Sequence, residues 1–398
     1  MRIFFICHRF PYPPARGGKI RPFNIIRHLS RYAEVTVASL WRSEEERIAG
    51  EGLAKHCSRI LAEPVSQLAA NVRMVARLPL TSPSSFGNFW SPRLAARVQR
   101  ELRDGRYDLV FVHCSSVAPY VVAHRGCPKV LDFGDMDSEK WSTYSRHRPF
   151  PLSAGYWLEA LKLRRVEREL ARRFDLSTCT TAAEHDTLCS LESSPRTGWF
   201  PNGVDAEYFS PAGDDYDPDL ICFSGRMDYF PNQQAVMRFC GSTFGLIRKQ
   251  RPAARLVIVG AEPPGFIRAL AERPGITVTG TVPDIRPHVR GAAVSVAPLD
   301  VARGTQNKIL ESMALGVPVV CSTLASRGVD ARPGEHLLTA DSPAECASTV
   351  IEVLADRQRR RALASAGRER VLSHHSWAHS MRRMDALLDG LHPSGGPG

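Results

Sequence analysis

Short apolar runs recur along the chain, at 2–7, 35–40, 108–114, 130–133, 176–180, 220–224, 255–259, 276–280 and 293–299. Between several of them lie stretches whose apolar residues return at helical spacing, as with Phe23, Ile26 and Leu29. Strand signals alternating with helix signals predict a parallel α/β architecture. At 398 residues the chain exceeds one ordinary core, and two to three domains are expected. A Pro-, Gly- and Asp-rich stretch at 210–219, following the turn signal Asn202-Gly203, reads as a linker.

Composition narrows the class. Hydrophobic residues make up 43% and charged residues 23%, ordinary for a globular enzyme. No apolar run approaches the ~20 residues that span a bilayer, and the block from Ile3 to Cys7 is too short for a signal-peptide core. The ten cysteines are scattered with no C-x-x-C pair, which argues for a reducing compartment and against a zinc site. The net charge of +11 gathers in the first half, where residues 1–210 carry 30 Lys and Arg against 22 Asp and Glu. These basic residues are dispersed, with no helix-turn-helix pattern and no interleaved aromatics, so nucleic acid is not an expected partner. An anionic membrane surface, a phosphorylated acceptor or a plain basic exterior all fit.

The most informative motif is GTQNKILESMALGVPVV, residues 304–320. Its start, Gly304, Thr305 and Gln306, is small and polar and leaves backbone N–H groups available. A helix follows, with Ile309, Leu310, Met313 and Leu315 on one side, and Gly316 is its stop. A helix start of this kind suits an anion, usually phosphate. Lys308 falls in the first turn beside it, and Glu311, one turn on, is placed to accept hydrogen bonds from hydroxyls. Gly225 follows a strand, and Arg226 suits bidentate phosphate binding. Gly260 ends the strand at 255–259. Gly17 and Gly18 precede a helix and let backbone approach a ligand, or simply form a flexible turn.

Other stretches leave alternatives open. His113 ends a buried strand, where ligands collect in α/β sheets. Asp132, Asp135 and Asp137 crowd a strand end, which raises carboxylate pKa values or forms an Asx-rich helix cap. The 65–80 segment, with Leu68, Val72, Val75, Leu78, Arg73 and Arg77, is a basic amphipathic helix, expected to pack on a core rather than lie on a membrane. Phe86, Phe89 and Trp90 in the loop 81–92 are expected to be exposed, either to meet an acceptor lipid or sugar or as an ordinary hydrophobic flap.

The segment from Glu311 to Val320 resembles the EAMAxGxPVV motif of glycosyltransferase family 4, which has the GT-B fold: two Rossmann-like domains facing across a cleft, with a C-terminal helix crossing back to the first. The resemblance implies an N-terminal acceptor domain at 1–205 completed by a helix near 375–391, a donor domain at 206–374, and a disordered tail at 392–398. It implies that Arg226 and a lysine clamp the diphosphate of a nucleotide sugar, UDP- or GDP-linked. Lys308 stands in for the usual lysine, whose place is near Asn232. Glu311 would contact the ribose. Gly17, Gly18, Gly225, Gly260, Asp284, Gly304, Thr305 and Gln306 would line the donor, with Asp284 in the base-binding turn. The family's second Glu is Arg303 here. Its strand-end His is Gly134, and Asp135 takes the acid that follows. The D-x-D-S-E-K-W form resembles the exosortase/PEP-CTERM-associated subgroup and makes His113, Asp137, Lys140 and Trp141 acceptor contacts.

The expected function is that of a retaining, metal-independent hexosyltransferase of exopolysaccharide biosynthesis, acting on a lipid-linked or glycan acceptor. No cofactor is expected beyond the nucleotide-sugar substrate. The expected location is cytoplasmic, at the inner face of the cytoplasmic membrane. A sugar-nucleotide epimerase of the same fold, or a binding protein that has lost turnover, are the alternatives; Arg303 and Gly134 favour the latter.

Overall fold

The computed structural model describes residues 1–14, 17–191, 196–213 and 215–391. The chain divides into two compact units, Met1–Pro201 with the segment from Met381 onward, and Asn202–Ser380. The tail at 392–398 lies outside the described residues.

The first unit is built on seven strands: β1 (Arg2–Cys7), β2 (Glu34–Trp41), β3 (Arg59–Pro64), β4 (Leu109–His113), β5 (Lys129–Gly134), β6 (Leu176–Cys179) and β7 (Thr197–Trp199). Their order is β3-β2-β1-β4-β5-β6-β7, and every pairing is parallel. Ile3 through Cys7 and all of β4 are buried. Helices on both faces leave no wet side, so these strands read as unbroken apolar runs. The three-residue edge strand β7 carries no apolar run and was not expected.

The second unit holds six parallel strands: β8 (Asp217–Ser224), β9 (Arg255–Val259), β10 (Ile276–Gly280), β11 (Ala292–Ala297), β12 (Val319–Cys321) and β13 (Leu338–Thr339), in the order β10-β9-β8-β11-β12-β13. β11 stops at Ala297, short of the expected 299, because Pro298 has no N–H to continue a ladder. In each sheet the order reverses beside the first strand, between β1 and β4 and between β8 and β11. Such switch points open a crevice beyond the strands' C-terminal ends.

The last helix, Trp377–Asp389, brings Asp385 to His28 at 2.8 Å and Arg383 over the ring of Trp199 at 3.7 Å, both in the first unit. Among the described residues no helix is long and apolar enough to cross a membrane.

Two expectations fail here. The helix Gln67–Ala76 buries only Ala70, and its Leu68, Val72 and Val75 face outward. The loop aromatics do the reverse. Phe86 is buried, Trp90 stacks on Tyr120 at 4.7 Å and Phe89 meets the edge of His8 at 5.2 Å. The cause is Glu159, a buried carboxylate that accepts from the N–H groups of Ser84 and Ser85 and draws the loop inward.

Candidate donor site

The motif at 304–320 folds as expected from its residues. The helix Asn307–Ala314 buries Ile309, Leu310, Met313 and Ala314. Gly316, at φ +71°, ends it, with its N–H donating to Met313 O and that of Val317 to Ser312 O. At the other end the N-cap residue, Gln306, provides no side-chain cap and instead donates from Nε2 to Arg303 O. Among the described residues the N–H groups of Thr305, Gln306, Asn307 and Lys308 have no hydrogen-bond partner. The buried Thr305 Oγ1 and Asn307 Oδ1 also lack one. Unmet backbone donors at a helix start are a ready anion site.

Lys308 comes to the β8 switch point. Its Nζ donates to Asn232 Oδ1, lies 4.9 Å from the Phe223 ring centre, and sits 3.2 Å from where a Cβ on Gly225 would stand. Asn232 in turn donates to Arg226 O at 2.7 Å. Burial pushes the Lys308 ammonium down to about 7, partly offset by Glu311. Burial pushes the Glu311 carboxyl up to about 7, partly offset by Lys308, and among the described residues it has no hydrogen-bond partner. The two stand three residues apart on one helix face.

Glycine is required at two points. Gly225 has φ +149°, and a Cβ on Gly260 would come within 1.7 Å of Gly225 O. The loops after β8 and β9 are therefore joined backbone to backbone, with Gly225 N donating to Val259 O and Met227 N to Ala261 O. Gly260→Ala is expected to cost about 3 kcal/mol, the upper end of overpacking, which chemical denaturation checks.

Arg226 departs from expectation. Its guanidinium is held bidentate by Asp228, at 2.8 and 3.0 Å, and by Glu262 at 2.6 Å. Two carboxylates already compensate its charge, so it is not a free partner to Lys308. The Asp284 carboxylate is committed to Arg286, at 2.8 Å, and also accepts from the Arg286 N–H at 2.9 Å. Gly304, at φ +60°, allows the sharp entry to the helix, and its O packs against Gly328.

In the first unit the expected acid cluster comes apart. Asp132 is fully buried and accepts from Arg21 Nε and Nη2 at 2.8 Å each, from Thr178 Oγ1 at 3.0 Å, and meets His113 Nδ1 at 2.8 Å. Burial alone would raise its carboxyl, but Arg21 holds it well below the usual range. It is a structural tie, not a proton-handling group. Asp135 accepts from Thr180 Oγ1 at 2.8 Å. Burial raises Asp137, against the pull of Lys140, while the neighbouring acids outweigh burial at Lys140 and raise it. Nor do the aspartates cap the helix Asp137–Arg146. The N–H and Oγ of Ser138 both donate to Glu167, whose carboxyl burial pushes up to about 7. Trp141 lies against Tyr156 at 5.0 Å, which makes it a packing residue as well as a candidate contact.

Gly17 and Gly18 open the helix Gly17–Leu29; a Cβ on Gly18 would stand 3.3 Å from Arg9 Cδ and 3.6 Å from His8 Nε2. His8 follows β1 at the switch point, and among the described residues its buried Nδ1 lacks a partner. Burial, with the His113 ring 5.6 Å away, holds it well below the usual imidazole value. Gly134, at φ +71°, leaves space beside His113, whose Cε1 lies 3.7 Å from where its Cβ would be. His8 was missed from sequence, although its place just after the first strand was a readable signal.

Two all-parallel Rossmann-like sheets of this order, with polar groups gathered at both switch points, have the architecture of the GT-B fold. The chain matches the Glycosyltransferase Family 4 model over residues 15–208 and the Glycosyl transferases group 1 model over residues 218–356. In fold it is similar to sucrose-phosphate synthase from Thermosynechococcus elongatus, with a TM-score of 0.74 at 17% identity, covering 98% of this chain and 99% of that one. It is also similar to Anabaena HepE in complex with UDP and glucose, with a TM-score of 0.69 at 14% identity and coverage of 98% and 100%. TarM, known from S. aureus, gives a TM-score of 0.70 at 9% identity and coverage of 98% of each chain. No curated protein sequence matches the chain.

Proposed function

We propose that the chain transfers a hexose, with retention and without a metal, from a nucleoside diphosphate sugar to a lipid-linked or glycan acceptor. The resemblance to the exosortase-associated subgroup supports a place for this step in exopolysaccharide biosynthesis, at the inner face of the cytoplasmic membrane. The observation that carries the donor reading is the uncapped start of the helix Asn307–Ala314, with Lys308 beside it. HepE, of the same fold, is known in complex with UDP-glucose, which supports a nucleotide-sugar donor here.

In this reading the diphosphate lies on the amides of residues 305–308, and Lys308 meets the charge that grows as the sugar bond breaks. At an effective dielectric of ~20, one charge pair at ~4 Å is worth about 4 kcal/mol before desolvation. Realised only in the transition state, that is about three decades of rate. Glu311 accepts from ribose hydroxyls. The test is a donor screen that reads free nucleoside diphosphate with membrane lipid extract present. Release with one donor, dependent on the extract, is the expected result; an intact donor under every condition overturns transfer. The capture of Arg226 by Asp228 and Glu262 favours one second reading, a donor-binding protein without turnover. It predicts nucleotide-sugar binding with no release.

A further inference from the structure

The first unit carries an apolar face that its own core does not use. On the helix Gln67–Ala76 and the turn after it, Leu68, Val72, Val75, Leu78 and Leu80 are exposed, Leu68 at 75%. On the helix Leu152–Arg173 and the loop before it, Phe150, Leu152, Trp157, Leu158 and Leu161 are exposed, Phe150 at 83% and Trp157 at 56%. The two segments meet, because Lys162 Nζ donates to Leu78 O at 2.8 Å and to Arg77 O at 3.4 Å. Large exposed apolar surfaces on a soluble unit mark contact sites.

The charge beside this face has one sign. Along the longer helix, Trp157, Leu158 and Leu161 are followed on the same side, at helical spacing, by Arg164, Arg165, Arg168 and Arg172. Between 66–81 and 142–173 the acids are Glu159 and Glu167, both buried, and Glu169, paired with Arg173 at 2.7 Å. An apolar half-stripe continued by arginines complements a bilayer edge, where acyl chains lie beneath a layer of phosphate.

We infer that this face docks the protein on an anionic lipid surface, with the apolar side chains set into the acyl boundary and the arginines on lipid phosphates. This deepens the function proposed above and rests on it for its purpose, since a lipid-linked acceptor is met at such a surface. The docking itself is read without turnover. A second copy of the chain is the less suitable occupant, because the face offers no acidic patch to meet those arginines.

The test is co-sedimentation with phosphatidylglycerol–phosphatidylcholine vesicles and with phosphatidylcholine alone. The expected result is binding to the anionic vesicles that weakens with salt. A variant with Val75→Ser, Trp157→Ser and Leu161→Ser should lose it tenfold or more. A variant with Arg164→Gln, Arg165→Gln and Arg168→Gln should lose on the order of 100-fold, at roughly fivefold per arginine. All six positions are at the surface, so an unchanged Tm is expected in both. Equal binding by all three proteins, or none by the wild type, overturns the proposal. So does a concentration-dependent dimer that the serine variant abolishes, which assigns the face to a second copy. Vesicle binding without nucleoside diphosphate release sinks the transferase reading alone; release without vesicle binding sinks the docking surface alone.

Discussion

Lys308→Gln is expected to lower turnover by about 10²–10³-fold, the usual effect of removing one donor to a developing anion. The physical reason is the amine's position, drawn out of water to Asn232 and Gly225 at the mouth of an uncapped helix. Burial holds it at about 7, so at pH 8 the free protein carries mostly the neutral amine. A diphosphate favours the charged form and raises that value, so binding at pH 8 should take up about 0.9 proton. Glu311, also at about 7, is already ionised at pH 8 and adds little to the count. Diphosphate affinity should therefore fall as pH rises above about 7. Calorimetry in buffers of different ionisation enthalpy reads the uptake directly, and Lys308→Gln should abolish it. Unchanged donor affinity and turnover in that variant would remove the basis for the donor site.

Asp132→Asn should cost about 3–5 kcal/mol, the range for breaking one side of a buried ion pair. Arg21 is 2% exposed, and the substitution leaves its guanidinium facing an amide, with Phe200 O and Cys179 O among its other partners. Three elements meet at this carboxylate, through Arg21, His113 and Thr178, so its loss loosens the β4–β5–β6 side of the first sheet. A fall in Tm of about 10 °C is expected. The sign with pH follows from the depressed carboxyl. Its stabilisation is complete above the unfolded value of about 3.9 and fades as pH falls toward the lower folded value. The gap in Tm between wild type and variant should be flat from pH 8 to 5 and narrow below about pH 4. A gap near zero at pH 7 would show that the pair contributes nothing net.

The residues that could be read in advance act locally. Gly316 stops a helix because its φ is positive whatever surrounds it, and the motif from Gly304 onward names its own strand, helix and turn. Lys308 and Glu311 were found together because helical spacing alone places them on one face. Longer reach was not legible. Nothing around Arg21 names Asp132, 111 residues away, and the three aspartates near β5 look alike until one is buried under a guanidinium. Likewise Asp228 and Glu262 take Arg226 from different loops. The helix Gln67–Ala76 has the pattern of a core-packed helix, and period alone cannot say whether core or solvent lies opposite its apolar side.

The sequence by itself determined the succession of buried strands and helices, the parallel architecture that follows, and the uncapped helix start at 304–308. Each depends on backbone preference and periodicity within a few turns of chain. Only the tertiary structure decided which charges are neutralised and which apolar side chains stay in water, because desolvation and pairing are settled by neighbours brought from distant segments.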